Sequence, residues 1–202
     1  MEKVKLAIIY YSATGANYQL AQWAEEATRN DADVKILKFA ETAPSAAIDS
    51  NPLWRKNVDN TQHVPEVTLN HLEWADAIIF SVPTRYGSAP SQLRIFFDTT
   101  GGLWYYGKLA NKVVSAMATA SNPHGGQEAT IQSIYTSLMH WGVIIAAPGY
   151  TDPVTFAAGG NPYGTSATIE NGNFKEDVRE AVMHQARRTL QVAKWVKAGL
   201  SS

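Results

Sequence analysis

Five short apolar runs recur along the chain, and each has the length of a β-strand. Residues 4–10 and 77–82 are almost continuously apolar, as strands buried on both faces of a parallel sheet are. Residues 33–39 alternate between apolar and polar side chains, which predicts a strand nearer the edge of the sheet. The fourth and fifth strands are predicted at residues 112–118 and 143–146.

Amphipathic segments lie between these runs and predict crossover helices. In residues 127–141, apolar side chains recur at the spacing of one helix face. The other helices are predicted at residues 17–29, 68–74, 91–100 and 175–197. Strands joined by crossover helices form a doubly wound sheet. We therefore predict one α/β domain over residues 1–202, a three-layer sandwich around a five-stranded parallel sheet of order 2-1-3-4-5.

Two polar segments lack a clear periodicity and are interpreted as long loops. Residues 41–67 carry three prolines and have room for one helical turn. Trp54 in this segment is unusual for a linker and suggests a subunit contact or a lid. Residues 151–174 are rich in glycine and are interpreted as the second long loop.

In such sheets a ligand binds at the carboxyl ends of the strands, at the point where the strand order reverses. For the predicted order this point lies between the first and third strands. The loops that meet there are residues 12–17, 83–88 and 119–126. All three are rich in Ser, Thr, Asn and Gly, so the sequence predicts a mononucleotide site at this edge.

The first of these loops has the composition of a phosphate site. It connects a buried strand to a helix N-terminus, where backbone N–H groups and the helix dipole favour an anion. Gly15 lets the backbone approach the ligand, and Ser12, Thr14 and Asn17 can add hydrogen bonds. The GxxxxGK[ST] and GxGxxG patterns are both absent. Neutral donors without Lys or Arg suit one phosphomonoester better than a triphosphate.

Composition narrows the class of protein further. The chain has 202 residues, of which 45% are hydrophobic, and a formal net charge of −1. This balance gives no general attraction to nucleic acid or anionic membranes. Cysteine is absent, which excludes disulfides, thiolate metal sites and thiol catalysis, and no other metal-ligand set is recognised. Without an apolar stretch long enough to span a membrane, we expect a cytoplasmic protein.

Four motifs in fixed order identify a resemblance that covers nearly the whole chain. They are PTRYG at residues 83–87, FDTTGGLW at 97–104, GGQE at 125–128 and PYG at 162–164. With them the chain resembles the WrbA family of flavodoxin-like NAD(P)H:quinone oxidoreductases. The resemblance implies a flavodoxin-like fold, and an enzyme that transfers two electrons from NAD(P)H to quinones by a ping-pong mechanism. It also implies a homotetramer whose neighbouring subunits help to wall the site.

The resemblance implies that FMN is held tightly by all three loops. The phosphate is expected on the first loop, and the isoalloxazine ring between the second and third. The residues expected to bind FMN are Ser12, Ala13, Thr14, Gly15, Ala16, Asn17, Pro83, Thr84, Arg85, Tyr86, Gly87, Thr119, Ala120, Ser121, Asn122, Gly125 and His140.

Three residues are candidates for catalysis. Arg85 is a cation that would stabilise anionic reduced flavin, although a surface Arg paired with a carboxylate is the alternative. His140 matches a family histidine near the flavin and could donate a proton to a quinone oxygen near neutral pH, but it could instead cap its helix. Trp104 matches an aromatic residue over the face where nicotinamide and quinone bind in turn, or it belongs to the core or a subunit interface.

Other readings of the same residues remain open. Many family members carry Tyr and His in the first loop where this chain has Thr14 and Ala16, and that Tyr has been placed near the nicotinamide. One alternative function is a one-electron flavodoxin-type carrier, although such carriers surround the flavin with acidic residues and these loops hold none. Another is a regulatory protein-binding flavoprotein, which the family's historical name as a Trp-repressor-binding protein suggests.

Overall fold

The apolar runs of the sequence form a parallel sheet whose central strands are buried on both faces. A computed structural model describes residues 2–200. The strands are β1 Val4–Tyr10, β2 Ala32–Lys38, β3 Ala77–Pro83, β4 Val113–Ala120, β5 Ile144–Ile145, β6 Ser166–Glu170 and β7 Asn173–Phe174. The strand order is β2-β1-β3-β4, as predicted, with β5 and β6 both paired to β4, and β7 paired to β6.

Helices cover both faces of this sheet, because successive side chains of a strand point to opposite faces. Ala7 and Ile9 pack with one helix layer, whereas Leu6 and Ile8 pack with the other. The helices are α1 Ala16–Thr28, α2 Ser45–Asp49, α3 Pro52–Asn60, α4 Leu69–Trp74, α5 Ser91–Asp98, α6 Gly101–Tyr105, α7 Gln127–Met139, α8 Val154–Ala157 and α9 Arg179–Leu200. Helices α1 and α9 cover one face of the sheet, and α4, α5 and α7 cover the other.

The fifth position of the sheet differs from the prediction, because two separate strands share it. β5 pairs with Val113 and Val114 at the start of β4, and β6 pairs with the last three residues of β4. Between them the chain leaves the sheet. The backbone of Ala116 is satisfied instead by side chains: its N–H donates to Tyr135 Oη (3.1 Å), and its carbonyl accepts from Gln185 Nε2 (3.0 Å).

The predicted loop over residues 151–174 therefore contains α8, β6 and β7. β6 and β7 form an antiparallel hairpin, with Ile169 opposite Phe174. Its two turn residues, Asn171 and Gly172, have φ angles of 52° and 81°. Positive φ at both positions is the geometry that Asn-Gly provides in two-residue hairpins. The turn signal was present in the sequence, but the flanking strands are too short to show alternation.

The predicted loop over residues 41–67 likewise contains two helices, α2 and α3. The start of α3 has a strong local cause. Asn51 Oδ1 accepts from the N–H groups of Leu53 (3.1 Å) and Trp54 (3.3 Å), and Pro52 occupies the first turn. An Asn cap followed by Pro is a standard helix start. Within residues 2–200, no helix is both long and apolar enough to cross a membrane.

Gly164 allows the chain to return to the sheet after its excursion. A Cβ atom placed on Gly164 would lie 2.0 Å from the carbonyl oxygen of Ala116. This is the same oxygen that accepts from Gln185. Only a residue without a side chain can pass so close to the middle of β4.

We expect Gly164→Ala to destabilise the protein by about 2 kcal/mol or more, because the added methyl group overpacks a backbone. The measurement is the free energy of unfolding in urea. Gly102→Ala is the matched control, since a Cβ there meets nothing within 4 Å and alanine favours helix. Equal stability of the two variants would contradict this packing argument.

The start of α4 depends on a neutral histidine. The backbone N–H of Thr68 donates to His71 Nδ1 (3.1 Å), an arrangement like a capping box in which His replaces Glu or Gln. Burial lowers the pKa of His71 below its usual 6.5, and the nearby Lys35 cation lowers it further. The folded chain therefore binds this proton less readily than the unfolded chain does.

The stabilisation from His71 is accordingly full above pH 6.5 and is lost as the pH falls through the lowered folded pKa. The unfolding free energy of the wild type should fall when the pH is lowered from about 7.5 to about 5. In His71→Gln, which keeps an acceptor, we expect this fall to be smaller by about 0.5 kcal/mol. His63→Gln, which removes an exposed imidazole, is the control. An unchanged acid dependence in His71→Gln would count against the cap.

Candidate functional site

The loop between β1 and α1 presents backbone donors that the protein itself does not use. Ser12 Oγ accepts from the N–H groups of Gly15 (2.9 Å) and Asn17 (3.2 Å), which folds the loop around that hydroxyl. The N–H groups of Ala13, Thr14 and Ala16 have no partner among the described residues. They lie at the start of a 13-residue helix whose preceding Gly15 is left-handed. Free donors at such a terminus form an anion site.

Asn17 ties this loop to the two neighbouring strands. Its side chain is 2% exposed, and its Nδ2 donates to Thr119 Oγ1 (2.8 Å) at the end of β4. Ser81 Oγ of β3 reaches the backbone carbonyl of Asn17 (3.1 Å) and its Oδ1 (3.2 Å). The amide of Asn17 thus serves the scaffold, and it holds three strand ends in fixed relation.

The loop after β3 is held by its own turn and by β4. The N–H of Thr84 donates to the carbonyl of Thr119 (2.8 Å), and Arg85 and Ser88 exchange backbone hydrogen bonds across the turn. Tyr86 sits in the left-handed region with φ 52° and is fully exposed. A bulky residue with positive φ is a strained conformation of the kind found at functional sites.

The loop after β4 starts later than predicted, because β4 extends through Ala120. Thr119 and Ala120 therefore belong to the strand. Asn122 organises the turn that follows: its Oδ1 accepts from the N–H of His124 (3.0 Å), and its carbonyl accepts from Gln127 Nε2 (3.0 Å). Ser121 is left exposed at the cavity edge.

These three loops line one cavity of about 390 Å³ at the carboxyl edge of the sheet. A volume of this size lies within the usual range of about 300–1,000 Å³ for small-molecule sites. Most of the predicted residues border it. Those on its wall are Ser12, Ala13, Thr14, Ala16, Asn17, Pro83, Thr84, Arg85, Thr119, Ala120 and Ser121.

The outer wall comes from two segments that sequence reasoning interpreted as loops. One is the start of α3, with Asn51, Leu53 and Trp54, and the other is the β6–β7 hairpin, with Ile169 and its Asn-Gly turn. The two segments meet, since a Cβ atom on Gly172 would lie 3.2 Å from Leu53 Cδ1. The helix cap at Asn51 and the hairpin turn were the signals that could have revealed this wall.

The side chains that line the cavity are almost all uncharged. Among the described residues that line it, Arg85 is the one charged side chain. Its Nη1 donates to the carbonyl of Thr84 (2.9 Å), and it has no carboxylate partner in the described chain. Burial raises the pKa of Tyr11, and Glu41 raises it further, whereas the Arg85 cation lowers it by a smaller amount. Tyr11 therefore remains a phenol that can donate.

The remaining predicted residues do not border the cavity. Five of them belong to the same loops but lie behind or outside the wall, namely Gly15, Tyr86, Gly87, Asn122 and Gly125. Trp104 and His140 are brought together elsewhere, where the indole Nε1 donates to the carbonyl of His140 (2.8 Å). Both are exposed, and Trp104 retains 53% of its accessible surface.

The pair Trp104–His140 lies near the amino edge of the sheet, opposite the cavity. Gly142, two residues after His140, accepts from the N–H of Asn111 just before β4 begins. β4 has eight residues, so its two ends lie roughly 20 Å apart at about 3.3 Å per residue. Within a single chain, these two side chains therefore do not face the cavity of the three loops.

Comparison with known proteins places the chain in a family. The family model described as NADPH-dependent FMN reductase matches residues 4–151. A protein of Deinococcus radiodurans named NAD(P)H dehydrogenase (quinone) is 52% identical over 190 residues, covering 94% of this chain and 95% of the relative. One of the same name from Methanosarcina barkeri is 35% identical over 205 residues, covering 95% and 98%.

Solved structures agree on the fold. The WrbA-like flavodoxin of Agrobacterium tumefaciens has a TM-score of 0.63 at 16% identity, covering 96% of this chain and 99% of that one. Flavodoxin 2 of Bacillus cereus has a TM-score of 0.62 at 15% identity, covering 94% and 99%. The flavodoxin-like fold is thus confirmed, and with it the predicted resemblance. The chain belongs to the NADPH-dependent FMN reductase family, among its WrbA-type quinone oxidoreductases.

Proposed function

We propose that this protein is an FMN-dependent oxidoreductase that transfers two electrons from NAD(P)H to quinones. One observation carries the proposal. Within residues 2–200, unpaired backbone N–H groups at a helix N-terminus open into a cavity lined by one cationic side chain and by no carboxylate. The family and the names of the relatives agree with it. We place the enzyme in the cytoplasm, because NAD(P)H is available in that compartment.

The donor chemistry of the cavity fits FMN. The free N–H groups of Ala13, Thr14 and Ala16 would hold its phosphate as neutral donors. The hydroxyl of Thr14, which makes no hydrogen bond within the described chain, would add a side-chain donor. Thr84 and Arg85 would border the ring on one side, and Ala120 and Ser121 on the other. FMN, when bound, supplies hydride and electron transfer, while the protein provides orientation and electrostatics.

Arg85 would provide the electrostatic part. A cation beside the ring favours the anionic reduced cofactor. At about 4 Å, a unit pair gains ~1 kcal/mol in water and ~4 kcal/mol at an effective dielectric of 20. Arg85 is exposed, so the lower figure applies, and it rises if a bound ligand or a second subunit excludes water. This attraction between Arg85 and the anionic reduced form favours complete two-electron reduction of FMN.

We further propose a homotetramer whose neighbouring subunits supply Trp104 and His140 to the site. In one chain this pair lies at the far edge of the sheet, so a role beside FMN requires a second copy. The surface around the pair is apolar and exposed, and we name it the aromatic patch. It consists of Trp104, Tyr105, Tyr106 and Met139. Exposed apolar clusters of this kind mark protein contacts.

In that assembly, Trp104 would offer its ring as a stacking surface beside the cavity. His140 would donate a proton to the quinone oxygen as it is reduced, a role suited to histidine near neutral pH. NAD(P)H and quinone would use the same pocket in turn. Ping-pong kinetics and mutual competition of the two substrates follow from that arrangement.

The experiment that tests this function begins with titration of the apoprotein by FMN. NADH or NADPH is then added without oxygen and without quinone. We expect binding, bleaching of the flavin absorbance without a radical band, and recovery when benzoquinone is added. Binding without bleaching would favour the one-electron carrier instead. Failure to bind FMN would overturn the proposal.

The assembly is tested by placing a charge in the aromatic patch. Tyr105 is 75% exposed, so Tyr105→Asp should fold normally and weaken association by about 2 kcal/mol at each contact. Sedimentation velocity at micromolar concentration should then show smaller species, with FMN binding kept and quinone reduction lost. Trp195→Asp, at an exposed aromatic residue on α9, is the control. A wild-type protein that sediments as a monomer would contradict the tetramer.

A further inference from the structure

The carboxylate of Glu41 is shared by side chains from three separate segments of the chain. It accepts hydrogen bonds from Tyr11 Oη (3.1 Å), from Trp54 Nε1 (3.1 Å) and from Gln92 Nε2 (3.1 Å). It also accepts from the backbone N–H groups of Thr42 (2.9 Å) and Ala43 (3.0 Å). These five donors more than fill the roughly four lone-pair sites of one carboxylate.

Each of the three donors lies in or next to a segment that lines the cavity. Tyr11 directly precedes Ser12, on which the phosphate loop is folded. Trp54 lies on the outer wall, in the first turn of α3. Gln92 is in the first turn of α5, the helix that follows the loop of Arg85. Glu41 itself is not on the cavity wall, so it acts on a ligand only through these neighbours.

Hydrogen bonds to a charged acceptor are the stronger ones. Each is roughly twice as strong as a hydrogen bond between two neutral groups. Burial keeps Tyr11 protonated, and the indole and amide groups are donors at every ordinary pH. A carboxylate is the one common side chain that can accept from all of them at once. A glutamine in its place would present an NH₂ group to at least one of these donors.

We propose that Glu41 is a positioning residue for FMN, which holds the indole of Trp54 and the end of β1 in the geometry that receives the cofactor. This inference rests on the proposed FMN function. Without the carboxylate, the first turn of α3 loses its link to Tyr11 and α5. The helix is then held by the Leu53 contact with the hairpin turn and, one turn further on, by Asn57 Nδ2, which donates to the Ser12 carbonyl (2.8 Å). FMN must then order the outer wall when it binds, which weakens its binding.

The test is a double-mutant cycle on FMN affinity. Glu41→Gln removes the charge at nearly constant shape, and Trp54→Phe removes the indole N–H while it keeps an aromatic ring. We expect each single change to raise the FMN dissociation constant about tenfold. If Glu41 acts through Trp54, Glu41→Gln has a smaller effect in the Trp54→Phe background than in the wild type.

Glu66→Gln is the matched control. Glu66 borders the same small second cavity as Glu41, about 190 Å³ in volume, but its carboxylate makes no hydrogen bond or ion pair in the described chain. The Glu66→Gln substitution removes one negative charge from the same region without changing the hydrogen bonds of Glu41. We expect its FMN dissociation constant to stay within about twofold of the wild type.

Three outcomes would overturn the inference. Glu41→Gln could bind FMN as tightly as Glu66→Gln does, its effect could be the same in both Trp54 backgrounds, or Trp54→Phe could leave affinity unchanged. Thermal unfolding of each apoprotein separates lost binding from lost folding, and Trp54→Phe keeps the test valid if Glu41→Gln is unstable. A wild-type chain that fails to bind FMN would overturn the proposed function itself.

Discussion

The buried amide of Asn17 fixes the geometry on which the rest of the site depends. It lies at the first turn of α1 and reaches the ends of β3 and β4 through Ser81 and Thr119. A buried amide that loses its partners costs about 1–3 kcal/mol, so the network strongly favours one arrangement of the three strand ends. That arrangement sets the spacing of the loops that line the cavity. The free donors of the first loop are thereby held in place before any ligand arrives.

The division of the fifth strand explains how the cavity acquires an outer wall. A continuous fifth strand would pair with β4 along its whole length and leave no chain to fold over the strand ends. Here β4 is paired at both ends, and Tyr135 and Gln185 satisfy Ala116 between them. The released segment returns as β6 and β7, and its turn meets α3 at Leu53. Because side chains satisfy the backbone of Ala116, the chain can leave the sheet there and return to build the outer wall of the cavity.

The sequence predicted the parts of this structure that depend on local pattern. Buried strands such as β3 are continuously apolar and keep their predicted position, and the order β2-β1-β3-β4 follows from the crossover rule. The cavity loops were located because they directly follow those strands. The outer wall was missed since it depends on the contact of Leu53 with Gly172, which are far apart in the chain. Local signals at Asn51 and at the Asn-Gly turn marked each half, but neither shows that the two halves meet.

The charge of the cavity distinguishes the two redox functions that a flavodoxin-like fold can serve. Arg85 alone contributes only ~1 kcal/mol to a nearby anion in a water-filled site, which is a modest preference for the reduced cofactor. The lack of carboxylates among the described residues of the wall matters as much, because each carboxylate would oppose the second electron by a similar amount. The carboxylate of Glu41, which does not border the cavity, accepts five hydrogen bonds. The molecule therefore keeps a carboxylate that supports the outer wall, while the carboxylate itself does not border the cavity.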